Sequence, residues 1–232
     1  MRRRSFTITL AAVLLAVSGA AGQEQDRRPG IAVFPFANGG SFGPDAQNLT
    51  DLGVGMQSMM ITELAENPAL RVVERATLQP ILQEHELGVS GRIDPQTAAR
   101  MGRLVGARYA VTGGFTDNFG TMRLDARIID VETGAVIKAQ QVTRERTELF
   151  AMVLDVSLRL TADVNLPPLP AEIREQREQQ EIPAEAIEML SKALVYQDAG
   201  RKEQAIELYK QINNRFPDVT EAKKQLTQLG GA

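Results

Sequence analysis

The sequence predicts an α/β (α+β) protein: helices packed on a mixed, partly antiparallel sheet in a three-layer-like arrangement, followed by a small all-α helical hairpin. Three observations predict it. Short apolar runs alternate with helix-period segments through the first half of the chain. Three closely spaced strand segments with turn glycines between them come next. Beyond a proline-rich break only helical periodicity continues.

The elements follow in chain order. Arg2, Arg3 and Arg4 precede an uncharged, mostly apolar run from Phe6 to Val17, and Ser18–Gly22 are all small. That is the order of a secretory signal peptide, expected over 1–22, and the apolar run is too short to cross roughly 30 Å of hydrocarbon. Its removal lowers the formal charge of −3 by three more units. Ile31–Phe36 is expected as a buried strand, ended by Asn38, Gly39 and Gly40, with loop residues to about Asn48. From Leu49 to Leu64, the residues Leu49, Leu52, Met56, Met59, Met60 and Leu64 recur at three- and four-residue steps, giving a helix with one apolar face. Leu70–Val73 is a second strand, and Thr77–Leu87 a second helix. Asp94-Pro95 marks a helix start, an N-cap acceptor followed by proline, and Gly106 its end.

Arg108–Thr116, Thr121–Val131 and Ala135–Thr143 form an antiparallel meander with turns at Gly120 and Glu132–Gly134. Leu149–Val164 alternates like a strand in part, but its length favours a helix. One domain is expected over 31–165. Leu166–Pro170 holds three prolines and opens a linker over 166–182, whose charged run Glu172–Glu181 is expected to be a solvated helix or linker. Residues 183–229 form a helical module. Within it Ala193, Tyr196, Gly200, Ala205, Tyr209, Ile212 and Pro217 fall at the spacing of one tetratricopeptide-like repeat, with 220–229 as a capping helix. One repeat is too small to stand alone, so it is expected to pack on the first domain or on another copy.

Composition excludes several functions. There is no cysteine, and His85 is the one histidine, so thiol chemistry, disulfides and Cys/His zinc sites are impossible. The slightly acidic balance gives no basic field for nucleic acid.

Several ordered blocks resemble the CsgG-type family, the curli production assembly/transport component. They are Val33–Asn38 (VFPFAN), Leu70–Arg75 (LRVVER) with Ile81–Glu84, Thr97–Gly102 with Val105–Gly113 (VGARYAVTG), and Leu124–Gly134 (LDARIIDVETG). The resemblance spans roughly 31–145. It implies a non-enzymatic periplasmic protein of outer-membrane assembly or secretion, with envelope or secretion proteins, or further copies of itself, as partners. Peripheral association with the outer membrane fits the same expectation. The founding member is a lipid-anchored oligomeric pore with membrane-spanning hairpins. This chain has no cysteine to lipidate and only about four residues between its first two meander strands, where a spanning strand needs about 9–11. A scaffold or adaptor is therefore the first expectation, a secretion-channel component the second, and a small-ligand-binding module using the 37–48 loop the third.

No catalytic, cofactor-binding or metal-ligating set is expected. Gly53–Ser58 imitates a dinucleotide fingerprint but lies inside a helix, far from the end of the first strand. Gly39–Gly43 lacks the lysine and Ser/Thr of a phosphate loop and is expected to be a mobile surface loop. His85 is expected to be solvated, and Asp125, Asp130 and Glu132 to be wet-face and turn residues. Tyr196 and Tyr209 are the candidate partner contacts, at positions that in such repeats are packing positions.

Overall fold

Strands β1 (Gly30–Val33), β3 (Arg71–Val72) and β4 (Tyr109–Asn118) lie parallel in the order β3-β1-β4. β5 (Thr121–Asp130) and β6 (Val136–Glu145) extend this sheet antiparallel, each in register along its full length apart from one irregularity at Ile128/Ile129. The computed structural model describes residues 26–84 and 93–230; the expected signal peptide and His85 fall outside the described residues. Among the described residues eight helices pack on this mixed, open six-stranded sheet.

The strands alternate, so much of the sheet is covered from both faces, while Arg123, Asp125 and Arg127 keep one face of β5 at the surface. Ile31, Val33, Val111, Leu124 and Ile128 point to one side, where α1 (Leu52–Ala65) and α4 (Leu149–Asp163) lie. Ala32, Phe34, Ala110, Ile129 and Val131 point to the other, against α2 (Arg75–Glu84) and α3 (Pro95–Leu104). α3 starts as its sequence dictates: the Asp94 carboxylate accepts from the Gln96 and Thr97 amides, each at 3.0 Å, and Gly106 beyond it takes φ +64°. The ambiguous segment after Glu148 is helical.

Two expectations need correction. Asn38–Gly43 is no turn and loop but an edge strand, β2 (Ala37–Phe42), paired parallel to the outer half of β4. Its register slips between Asn38 and Ser41, where the Asn38 side chain accepts from the Gly40 amide at 2.9 Å and the Ser41 hydroxyl at 3.1 Å. That local bulge, built from small polar residues, carries none of the alternation that marks a strand. The run Glu172–Glu181 is not simply solvated either. It is helical, as one of the two expected forms, but this helix, α5 (Ala171–Glu178), buries Arg177 against Glu63 of α1.

The C-terminal helices α6 (Ala184–Asp198), α7 (Lys202–Arg215) and α8 (Thr220–Gln228) form an up-down array. Gly200 turns between the first two, and Ala205 is fully buried between them. α6 lies directly on α1. A Cβ on Gly55 would strike the Ser191 hydroxyl and come within 3.0 Å of the Ile187 carbonyl, so the bare backbone permits this approach. α1 is consequently buried nearly all round, Gln57, Ser58 and Glu63 included, and one apolar cluster runs from the sheet through α1 into α6 and α7.

Candidate functional site

The residues singled out in the sequence do not come together. Tyr209 has no exposed surface; its hydroxyl donates to Gln197 Oε1 at 2.7 Å, and burial pushes the phenol pKa up. Tyr196 is half-buried, with the Arg201 guanidinium 4.1 Å from its ring centre. Asp125 is held by Arg123 at 2.8 Å, whereas Asp130 and Glu132 share Arg108 at 2.9 and 2.6 Å. Asp125 therefore sits on its own arginine in mid-strand, while Asp130 and Glu132 share one guanidinium at the end of β5. Gly53 is a packing glycine on α1, where a Cβ would collide with the Phe36 carbonyl. Among the described residues, no group of three or more His, Cys, Asp or Glu is arranged to hold a metal ion.

The feature that sequence reasoning missed is a cleft between α2 and the C-terminal helices, floored by α1. Two connected hollows form it, of about 200 and about 460 Å³, sharing Gln79, Gln83 and Asp198. The smaller opens where the chain leaves β1, beside Pro35, Phe36 and the start of α1. The larger opens where the chain leaves β3, beside Glu74 and Arg75. These ends are neighbours because β1 and β3 are parallel and their register pairs Ile31 with Val72.

Carboxamides dominate the lining. Gln79 and Gln83 stand one turn apart on α2; Gln225 and Gln228 share one face of α8; Gln197 comes from α6. Gln83 donates to the Asp198 carbonyl at 3.2 Å, Gln197 to Gln225 at 3.0 Å, and Gln225 to Glu221 at 2.7 Å. Lys224 bonds Glu74 at 3.0 Å, tying α8 to the end of β3. The larger hollow is walled by Arg75, paired with Asp198. Burial pushes the Asp198 carboxyl up, and the arginine beside it pulls the other way. The arginine side chain is only 8% exposed, and its Nε meets no acceptor among the described residues. The paired spacing of glutamines on α2 and α8 was visible in the sequence; that they face one another was not.

Comparison with known proteins gives one family. Residues 15–121 match the model of the family described as curli production assembly/transport component CsgG. The match covers the VFPFAN, LRVVER and VGARYAVTG blocks and ends before the Leu124–Gly134 block. Among solved structures, the chain is similar to the LpoB C-terminal domain from Salmonella enterica at 19% identity and TM-score 0.40, covering 51% of this chain and 83% of that one. A lipoprotein from Neisseria meningitidis aligns at 16% identity and TM-score 0.42, over 57% of this chain and 96% of that one. A PelC dodecamer subunit from Paraburkholderia phytofirmans aligns at 17% identity and TM-score 0.34, over 60% and 89%. The comparison with curated proteins gives no match.

Proposed function

From a chain that is CsgG-like over residues 15–121, we propose a non-enzymatic, exported protein of the bacterial envelope that acts as an adaptor in outer-membrane assembly or secretion. The family match carries this reading. The sequence adds the leader-like order of Arg2–Gly22, and it holds no cysteine of the kind that the founding member lipidates. The Asn118–Thr121 connection spans two turn residues, Phe119 and Gly120, so no spanning hairpin leaves the sheet there. Among the described residues no helix is long and apolar enough to cross a membrane. The C-terminal helices, which resemble a single tetratricopeptide unit in spacing, give the adaptor a second surface beside the α/β domain. The carboxylates that invite a hydrolytic reading are all engaged by arginine, Asp125 by Arg123 and Asp130 with Glu132 by Arg108, which supports a binding rather than a catalytic role.

The test is fractionation of cells making the full chain, with cross-linking before lysis and sizing afterwards. Release by osmotic shock, with cross-links to outer-membrane or secretion components, is the expected result. Retention in the cytoplasm, or a monomer without cross-links, would overturn the reading.

A further inference from the structure

One long edge of the sheet has no partner strand. β6 ends the sheet beyond β5, and among the described residues nothing pairs with its far side. Antiparallel ladders alternate between residue pairs that exchange both main-chain hydrogen bonds and pairs that exchange none. The phase is set at the end of β6, where the Arg146 amide donates to the Gly120 carbonyl at 2.7 Å, one step outside the pair Thr121–Glu145. That pair is therefore non-bonded, and so are Arg123–Thr143, Asp125–Gln141 and Arg127–Ala139. The amides and carbonyls of Ala139, Gln141, Thr143 and Glu145 consequently point away from β5. All four residues are exposed, and their main-chain groups bond to nothing else among the described residues.

Prolines, lysines and bulges normally blunt such an edge. From Ala139 to Glu145 β6 has none of these; Lys138 and the register irregularity both come before it.

The edge selects its occupant because it complements itself. A second copy, related by a two-fold axis perpendicular to the sheet, would run antiparallel to β6. With the axis at Val142, Ala139 lies opposite Glu145 of the second copy and Gln141 opposite Thr143 of the second copy, and the reverse. Every outward group on both strands is then satisfied, two bonds to a pair and eight in all. With the axis at Gln141, Lys138 would stand directly opposite Arg144 of the second copy, and like charges so placed repel. With the axis at Gln140 or Thr143 the regular ladders overlap less, and outward groups stay unpaired.

Charge and packing agree with the Val142 register. Arg123 and Arg108 hold Asp125 and Asp130, which leaves exposed Arg127 without an ion pair among the described residues. Its neighbour on β6 is the small Ala139, so its guanidinium has a path to Glu145 of the second copy. On the other face Arg144 comes opposite Gln140 of the second copy, whose carboxamide is 2.6 Å from Asp163 in each chain. Val142, paired with buried Leu124, meets its own counterpart, so the apolar row continues across the axis. We propose that a second copy of this chain docks along β6 in this register, making one continuous sheet through two molecules. Nothing in this pairing rests on the adaptor reading.

The test sizes the purified full chain by sedimentation velocity from about 1 to 300 μM, a range that brackets the expected Kd on the order of 10 μM. Gln141→Pro removes an outward amide and spares the inward ladder, at a place where edge strands accept proline. It is expected to weaken dimerisation about tenfold or more, with the circular dichroism spectrum unchanged. Because the natural chain has no cysteine, single cysteines report the register. Opposed Cβ atoms in a non-bonded pair lie about 4.5–5.5 Å apart, close to disulfide reach. Under mild oxidation Val142→Cys is expected to form a linked dimer, whereas Gln140→Cys and Gln141→Cys stay unlinked. A monomer across the whole range would overturn the proposal. A dimer undiminished in Gln141→Pro, or linked through position 140 or 141 in place of 142, would overturn it equally. If the proline variant does not fold, the cysteine pattern decides. Each outcome is read on the isolated chain, so failure here leaves cross-links to envelope components untouched, and the converse holds.

Discussion

Arg177 reaches across 114 positions to close a two-pronged ion pair on Glu63, with its Nε 2.9 Å from one carboxylate oxygen and its terminal nitrogen on the other. Its guanidinium also stands 5.4 Å from the centre of the Phe150 ring, so one side chain joins α5 to both α1 and α4. Burial lifts the Glu63 carboxyl above its ordinary range, and Arg177 offsets part of that.

Removing one member of this pair leaves the other charged and dry. Arg177→Met is expected to cost about 3–5 kcal/mol, whereas Glu63→Leu combined with Arg177→Met is expected to be neutral or stabilising by about 1–4 kcal/mol. Urea unfolding of the two variants beside the natural chain measures both. A double variant no better than the single would show that the pair itself, and not the stranded charge, holds α5 in place.

The α1–α6 seam predicts an inverted glycine effect. Alanine normally raises helix stability over glycine by about 1 kcal/mol. At position 55 its methyl would meet Ser191 and the Ile187 carbonyl, so Gly55→Ala is expected to destabilise by about 1–3 kcal/mol. Ser191→Ala removes the nearer obstacle and should recover part of the loss, read as a coupling energy in a double-mutant cycle.

At the β4–β5 turn, Phe119 takes φ +54° and Gly120 φ +95°, both left-handed, as in a two-residue hairpin turn that favours Asn-Gly. Phe119 is 75% exposed, so it recovers little of that conformational cost through packing. Phe119→Asn is expected to stabilise by about 0.5–1 kcal/mol, a Tm rise of about 1–4 °C for a chain of this size. An unchanged or lower Tm would mean that the phenyl ring makes a compensating contact.

The cap of α3 predicts a pH dependence. The Thr97 hydroxyl and the amides at the helix start hold the Asp94 carboxyl below its ordinary value. A group depressed on folding contributes stability that is full above the unfolded value and lost as pH falls through the folded one. Asp94→Asn keeps an acceptor but does not titrate. Its Tm deficit relative to the natural chain should therefore be largest near neutral pH and shrink once pH drops below the ordinary aspartate value of 3.8. A deficit independent of pH would count against the charged cap.

Much of this fold was legible because its determinants are local. Asp94-Pro95 and Gly106 bracket α3 through their own backbone groups, and the alternation of Met122, Leu124, Ala126 and Ile128 set β5 with one face buried. What stayed hidden depends on pairs distant in sequence. α1 was legible as a helix with one apolar face, yet Gly55, Gln57 and Ser58 are buried as well because α6 covers them. β2 carries no apolar alternation and becomes a strand only beside β4. The charged run holding Arg177 gives no sign of which residue matches Glu63. The cleft required α2 and α8 to face one another, which no spacing within either helix reveals.

Covering α1 on both sides also sets a schedule. The strip of α1 around Gly55 is closed only by α6, made long after it, so a chain emerging N-terminus first keeps that strip open until its last third arrives. Folding must then wait on a contact between remote positions, which is slow to form. The C-terminal helices therefore act as a clock as much as a surface: an early fragment lacks its lid, and α1 is covered only once α6 has been made.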